Sequence, residues 1–199
     1  MNIQTALVAA LFGYLLGSIS FSLLLARFKG IDLRGVGSGN LGATNASRAL
    51  GKWGGLTVYL LDAAKGFFPA WATLVYFEQL DLAVLAGMAA YAGHIWPVYF
   101  GFRGGKGVAT LTGVVLAFHP LSLAWAALAL LVTVIPTRWM SLGSLAIGVS
   151  LPISAWHYSL DKPIFYGFLV AGLFLFWTHR SNIGRILAGT ERRIGEKKS

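Results

Sequence analysis

Seven apolar segments, separated by short polar connections, make up most of this 199-residue chain. They run over about residues 3–28, 56–77, 82–100, 108–118, 121–135, 142–158 and 164–177. A helix of about 20 apolar residues crosses a bilayer, and inside lipid every backbone polar group must be paired within the protein. The pattern predicts an all-α, polytopic membrane protein with about seven transmembrane helices, forming a single domain over residues 1–199.

The composition agrees with a membrane protein. The mean hydropathy is +0.68 and 56% of the residues are hydrophobic, which is more than an ordinary soluble domain contains. The chain has no cysteine, which excludes disulfides, thiolate catalysis and cysteine metal ligands. His94, His119 and His157 lack carboxylate partners at metal-ligand spacing, so we expect no zinc. We expect no other cofactor.

The net charge of +9 is distributed in short clusters between the apolar segments. That spacing favours anionic lipid and a defined membrane topology over nucleic acid. If all seven segments cross, fifteen of the sixteen Lys and Arg residues fall on one side, and Lys162 is the exception. The positive-inside rule then predicts an outward N-terminus and a cytoplasmic C-terminus with a basic tail over residues 185–199. Segments 108–118 and 121–135 are short, so either both cross a thinned bilayer or they form one broken pair.

The first glycine-rich loop, residues 35–48, is the least apolar stretch and reads GVGSGNLGATNASR. Glycine permits positive φ angles and close approach of the backbone to a ligand, so that successive N–H groups converge on an anion. Arg48 can then bind a phosphate or carboxylate through two parallel hydrogen bonds. The GxGxxG match at residues 37–42 follows no predicted strand, which argues against a dinucleotide fold. This loop therefore predicts a phosphate-binding cradle.

A second glycine-rich loop, residues 101–107, reads GFRGGKG. It is not a P-loop, because Phe100 stands where that motif requires glycine and Gly107 where it requires Ser or Thr. Lys106 has glycines on both sides, which sets its ammonium beside exposed backbone N–H groups. The alternative is that Arg103 and Lys106 only anchor the loop on the cytoplasmic side.

Other polar residues are harder to interpret. His179 and Asn182 follow the last apolar segment and point the same way within one helical turn. Asp62 and Lys65, three apart, share a helix face; they either form an ion pair at a helix end or help to hold the site, because ionisable groups at membrane depth are costly. We interpret the remaining histidines as structural: His94, His119 and His157.

Three segments together resemble a known family. Residues 35–48, 101–109 and 179–191 read GVGSGNLGATNASR, GFRGGKGVA and HRSNIGRILAGTE. They are similar to the signature regions of the bacterial acyl-phosphate:glycerol-3-phosphate acyltransferases of the PlsY type, small integral membrane enzymes that start phospholipid synthesis. The resemblance implies transfer of a fatty acyl group from acyl phosphate to the sn-1 hydroxyl of glycerol 3-phosphate, giving 1-acylglycerol 3-phosphate (lysophosphatidic acid) and phosphate. It also implies a multi-pass protein of the cell inner membrane with a cytoplasmic active site.

The resemblance assigns roles to individual residues. Catalytic roles fall on Lys106, His179, Asn182 and Ser38. Substrate-binding roles fall on Gly37, Gly39, Asn40, Thr44, Asn45, Arg48, Gly104, Gly105, Gly107, Ser144 and Arg180. Ser141 lies three residues before Ser144, on the same helix face.

We expect acyl phosphate, glycerol 3-phosphate and membrane lipid as partners, a monomer, and no nucleic acid. Either the donor's own phosphate accepts the hydroxyl proton while Lys106 stabilises negative charge, or His179 acts as the general base. A small-anion or phosphate-ester transporter is the alternative, but it predicts ionisable residues along a midplane path, and the late segments contain almost none. A CDP-alcohol phosphotransferase would need clustered acidic residues; the chain has seven, and none cluster.

Overall fold

The computed structural model describes residues 2–196, and all regular structure within that range is helical. This confirms the predicted all-α class. Lys197 and Lys198, two basic residues of the predicted tail, lie outside the described residues. The α-helices are α1 (Ile3–Gly17), α2 (Phe21–Phe28), α3 (Ala43–Phe77), α4 (Leu80–Ile95), α5 (Val108–Phe118), α6 (Pro120–Thr137), α7 (Met140–His157), α8 (Lys162–Thr178) and α9 (Arg180–Leu187).

The first apolar segment is divided into α1 and α2 by a short break after Gly17. Small residues let α1 pack closely on α4. A Cβ added at Gly13 would overlap the backbone of Ala86, and one added at Gly17 would overlap the backbone of Ala90. Only glycine permits this approach of two helix backbones, as small residues do between membrane helices.

Helix α3 begins at Ala43, although the sequence predicts a polar loop that continues to the second apolar segment. The helix is broken at Gly51, where φ is 78°, so a short polar piece precedes the long apolar piece. Its glycines lower intrinsic helix propensity, which is why the early start was not predicted. Packing outweighs that propensity: Gly55 lies so close to Ser47 that a Cβ there would overlap its side chain.

Contacts between residues divide the chain into two compact units, one ending at Phe118 and the other beginning at His119. In the first unit, α1 and α3 pack on α4, and α3 also packs on α5. In the second unit, α7 packs between α6 and α8, and the short helix α9 follows α8.

Among the described residues, three helical stretches are long and apolar enough to cross a membrane: Ile3–Phe28, Leu80–Phe100 and Pro120–Thr137. Val108–Phe118 and Lys162–Thr178 are apolar but shorter. The two short segments at 108–118 and 121–135 are separate helices, and the His119 ring accepts the Ser122 N–H at the start of α6. The total of seven spans and their orientation stay predictions.

Candidate active site

In the first unit, the loop before α3 is shaped by two glycines in the left-handed region. Gly37 has φ of 61° and Gly39 has φ of 67°, and the Gly39 N–H donates to the Val36 carbonyl over 2.9 Å. L-residues with side chains rarely adopt these angles. A Cβ on Gly37 would also overlap the Asn45 amide oxygen, and one on Gly39 would press against the Arg34 carbonyl. These two positions therefore require glycine for both backbone angle and space.

Asn45 supports this loop from its buried side. Its side chain is 2% exposed; Oδ1 accepts the Ser38 N–H over 3.0 Å, and Nδ2 donates to the Leu33 carbonyl over 3.4 Å. The predicted substrate-binding amide is thus engaged with loop backbone. Asn40 also bonds loop backbone: at the end of the loop, its Oδ1 accepts the Gly42 N–H over 2.9 Å.

The exposed side of this loop and of the first turns of α3 carries side chains that can contact a ligand. Ser38, Thr44 and Arg48 are all exposed. The Arg48 side chain passes beside Gly37, so that its aliphatic part lies next to the positive-φ turn. A glycine turn and a hydroxyl on the loop, with a second hydroxyl and a guanidinium on the first turns of α3, suit a phosphate monoester.

The second glycine-rich loop lies against the end of α4. The Gly104 N–H donates to the Ile95 carbonyl and the Gly105 N–H to the His94 carbonyl, each over 3.1 Å. These two N–H groups are therefore used within the protein, where the sequence predicted exposed donors. Lys106 is half-buried, and Gly107, with φ of 84°, turns the chain into α5.

Arg34 joins the two glycine-rich loops, a role that sequence reasoning missed. Its Nη2 donates to the Phe100 carbonyl over 3.2 Å and lies 3.5 Å from the Arg103 carbonyl. A guanidinium has several donors in one plane and can bridge carbonyls in this way. Its place immediately before the first loop was the available signal, but the sequence alone does not indicate which backbone it reaches.

In the second unit, His179 is the C-cap residue that directly follows α8, and it is 2% exposed. Its Nδ1 lies 2.9 Å from the Leu175 carbonyl oxygen. A carbonyl oxygen only accepts, so Nδ1 must carry the hydrogen, and in the neutral ring Nε2 is the unprotonated nitrogen. That tautomer is the one in which Nε2 can take a proton from a substrate hydroxyl.

The Glu191 carboxylate accepts hydrogen bonds from three side chains. Glu191 was not predicted as a site residue from the sequence. Oε1 accepts from Ser141 Oγ over 2.7 Å and from Asn182 Nδ2 over 2.6 Å, while Oε2 accepts from Arg185 Nε over 2.7 Å. Burial raises the pKa of Glu191, but the three hydrogen bonds and the Arg185 charge outweigh it and leave the pKa below its ordinary value. The ionised carboxylate thus fixes Asn182, on α9, against the start of α7.

Two other predicted residues make local contacts in the second unit. Ser144 is buried, and its hydroxyl donates to the Met140 carbonyl over 3.0 Å. The Arg180 guanidinium lies over the Trp177 ring, 4.6 Å from its centroid, and donates to the Trp177 carbonyl over 3.0 Å. Such stacking is typical of a cation at a membrane interface.

The functional groups of the candidate residues are cations, hydroxyls, amides and the oriented imidazole of His179. Within residues 2–196, no group of three or more His, Asp or Glu side chains is placed to hold a metal ion. The apolar helices and these polar loops define the class: an α-helical membrane protein that presents groups suited to phosphate esters.

A family model described as glycerol-3-phosphate acyltransferase matches residues 7–189. The glycerol-3-phosphate acyltransferase of Shouchella clausii (strain KSM-K16) is 46% identical over 204 residues, covering 98% of each chain. That of Aquifex aeolicus (strain VF5) is 43% identical over 191 residues, covering 95% of this chain and 99% of the relative.

Solved structures agree with the sequence relatives. A crystal structure of PlsY (YgiH), an integral membrane glycerol 3-phosphate acyltransferase in its glycerol 3-phosphate form, superposes with a TM-score of 0.91 at 41% identity, over 96% of both chains. Its lysophosphatidic acid form gives a TM-score of 0.89 at 40% identity, over 96% of this chain and 95% of that one. The chain is therefore a multi-pass membrane protein of the acyltransferase class. It belongs to the glycerol-3-phosphate acyltransferase family, which confirms the resemblance drawn from the three motifs.

Proposed function

We propose that this protein transfers a fatty acyl group from acyl phosphate to the sn-1 hydroxyl of glycerol 3-phosphate, forming 1-acylglycerol 3-phosphate and inorganic phosphate. This is the first step of bacterial phospholipid synthesis. The observation that carries the proposal is the chain-wide similarity to an acyltransferase structure in its glycerol 3-phosphate form, with a TM-score of 0.91. Residues 1–199 form one enzyme domain in this proposal.

The acyl-phosphate end is assigned to the first unit. Lys106 binds the donor phosphate and neutralises the charge that grows on it as the phosphate leaves. Ser38 and the turn at Gly37 and Gly39 contact the same head group. Arg34 supports this assignment, because it holds the two glycine-rich loops together through the carbonyls of Phe100 and Arg103.

Glycerol 3-phosphate is assigned to Arg48, Ser144, His179 and Asn182. Arg48 supplies the bidentate guanidinium for the acceptor phosphate. Asn182 is oriented for this role by its hydrogen bond to Glu191, and the His179 ring by its bond to the Leu175 carbonyl. Two buried side chains with fixed orientation place a hydroxyl more accurately than mobile surface groups do.

In the reaction, the acceptor hydroxyl oxygen forms a bond to the acyl carbon, and the bond from that carbon to the phosphate oxygen breaks. The bonding electrons leave with the phosphate, which Lys106 stabilises. The hydroxyl proton goes either to the departing phosphate or to His179 Nε2. Acyl phosphate is already activated, so no cofactor and no acyl-enzyme are needed.

We further propose seven membrane spans, an outward N-terminus, a monomer, and an active site on the cytoplasmic side of the cell inner membrane. The basic residues support this orientation, since fifteen of sixteen fall on one side when seven segments cross. A cytoplasmic site would receive the water-soluble acceptor from the cytoplasm and the acyl chain from the bilayer.

The test is phosphate release by the purified protein in detergent, given palmitoyl phosphate with and without glycerol 3-phosphate. We expect release that needs both substrates and falls by about 10²-fold or more in Lys106→Ala. Arg103→Ala is the matched control, because its side chain belongs to the same exposed loop, and it should keep nearly full activity. If no donor supports release, the loops are an anion-binding surface and the transporter alternative takes precedence.

The proton acceptor is resolved by the pH dependence of kcat. Loss of the acidic limb in His179→Ala would identify His179 as the base. An unchanged limb with a raised KM for glycerol 3-phosphate would leave the donor phosphate as the acceptor.

A further inference from the structure

The loop that carries Lys106 lies on two rings of α4. Tyr91 and His94, three residues apart, share one face of that helix, and both are buried. A Cβ added to Gly105 would lie well inside van der Waals contact with His94 Nε2, and one added to Gly107 would overlap the Tyr91 ring. The backbone on either side of Lys106 therefore lies directly against these rings.

The main chain of His94 holds the same loop. Its carbonyl accepts the Gly105 N–H over 3.1 Å, and a Cβ on Gly104 would overlap that carbonyl oxygen. Gly104 is thus packed against backbone, and Gly105 against a side chain. The difference matters because a side chain can be truncated by mutation and a carbonyl cannot.

On the side of the ring away from the loop, His94 is hydrogen-bonded to Thr110 and lies near Asp62. Its Nδ1 lies 3.1 Å from Thr110 Oγ1 and 3.8 Å from Asp62 Oδ1. The same Asp62 oxygen is 2.8 Å from Lys65 Nζ, which donates to the Ile19 carbonyl over 2.6 Å. The predicted Asp62–Lys65 ion pair is therefore present, but it lies within α3 and not at a helix end. Through Lys65 it links α3 to the break between α1 and α2.

Packing alone does not explain a histidine at this position. In the part of the chain that the structure describes, His94 Nε2 and the Tyr91 hydroxyl are buried without a hydrogen-bond partner. Burying an unpartnered polar atom destabilises a fold, and an apolar side chain of similar size would avoid that penalty. The ring nitrogen that lacks a partner is the one that touches Gly105.

We propose that His94 is a positioning residue for acyl transfer: its ring, hydrogen-bonded to Thr110, sets the place of Gly105 and hence of Lys106. This inference rests on the proposed function, in which Lys106 binds the donor phosphate. His94 acts through the loop backbone, which its ring and its carbonyl both contact.

The test is a suppressor experiment on Gly105→Ala, His94→Ala and the double variant. In Gly105→Ala the loop must move by on the order of 1 Å to clear the ring, and a shift of that size costs up to about 10²-fold in kcat/KM. His94→Ala removes the obstacle, so the double variant should regain about ten-fold over Gly105→Ala. Gly104→Ala is the matched control: its obstacle is backbone, so adding His94→Ala should restore nothing.

Kinetic constants separate positioning from general stability. We expect His94→Ala to lower kcat/KM for palmitoyl phosphate by about ten-fold while KM for glycerol 3-phosphate stays within two-fold. A double variant that regains thermal stability but no activity would overturn the proposal. So would a His94→Ala protein in which both substrates' KM values and Tm change together.

Hydrogen exchange makes the two proposals independently testable. The amides of Gly104 and Gly105 should exchange faster in His94→Ala than in the wild type, whether or not the protein turns over palmitoyl phosphate. Faster exchange in His94→Ala, combined with a wild type that shows no acyltransferase activity, would refute the proposed function and keep the support of the loop by His94. Unchanged exchange would refute the role of His94, whatever the activity.

Discussion

Replacing Glu191 with glutamine should destabilise the second unit measurably. The carboxylate accepts from Ser141, Asn182 and Arg185, and glutamine offers one oxygen and one NH₂ group in its place. If the amide oxygen faces Ser141 and Asn182, the NH₂ group opposes the Arg185 donor. If the amide is flipped, the NH₂ group opposes the Asn182 NH₂ donor, while the Ser141 hydroxyl can turn to accept from it. Either orientation loses the charge and leaves at least one donor facing a donor.

The size of the effect follows from these contacts. Hydrogen bonds to charged groups contribute about 1.5–3 kcal/mol. The Arg185 side chain is 44% exposed, so solvent screening puts its share at the lower end. We therefore expect a loss of about 2 kcal/mol, which lowers Tm by about 4–8 °C for a chain of this length. The assay is thermal unfolding of the detergent-solubilised protein.

The pH dependence of the effect has a defined sign. The folded-state pKa of Glu191 lies below its ordinary value of 4.5, so the carboxylate stabilises the fold fully above that value. The stabilisation is lost as the pH falls through the folded-state pKa. The Tm difference between wild type and Glu191→Gln should be complete at neutral pH and shrink below about pH 4.5.

The control is Glu196→Gln, in the same tail, whose exposed carboxylate accepts the Arg193 N–H. It should change stability by less than about 0.5 kcal/mol. Equal Tm values for wild type and Glu191→Gln at neutral pH would refute the reasoning. A difference that persists undiminished in acid would show that the charge of Glu191 is not its source.

Three further substitutions test the packing of the first unit. Asn45→Ala removes two buried hydrogen bonds to loop backbone, so Tm should fall by an amount equivalent to about 2–4 kcal/mol, with raised KM values in the phosphate-release assay. Arg34→Gln disconnects the two loops at an exposed position; Tm should change little, and KM for palmitoyl phosphate should rise several-fold, as steady-state kinetics would show. Gly17→Ala forces a Cβ onto the Ala90 backbone and should cost about 1–3 kcal/mol, whereas Gly184→Ala, with open space around it, should leave Tm equal or slightly higher.

The helices could be predicted because apolar composition and length are local properties of the sequence. The break between α1 and α2 could not be predicted, because hydropathy does not change there. The Ile19 carbonyl in this break accepts a hydrogen bond from Lys65, which is distant in the sequence. The early start of α3 was missed for the opposite reason. Glycine and polar residues predict a loop there, and tertiary packing outweighs their weak helix propensity.

The candidate site was predictable in its residue types and less so in its contacts. Glycine clusters and isolated cations are visible in the sequence, and Gly37, Gly39 and Gly107 do adopt positive φ. Which side chain supports a loop is a matter of tertiary neighbours. Arg34 and His94 carry no motif of their own, and they acquire a role only because the fold brings the second loop to them.

In both units a buried polar side chain holds the segment that carries the proposed ligand-binding residues. A loop that binds a charged ligand beside a bilayer must keep a fixed shape, although few of its own groups pack against anything. In the first unit, the buried side-chain amide of Asn45 accepts a hydrogen bond from the Ser38 N–H and donates one to the Leu33 carbonyl. In the second, Glu191 fixes Asn182 against Ser141. In each case a polar group satisfied inside the protein orders the segment that presents the ligand-binding residues. Replacing Asn45 or Glu191 should therefore first make the segment that it holds less ordered, which faster amide exchange would show. The loss of order should then raise KM.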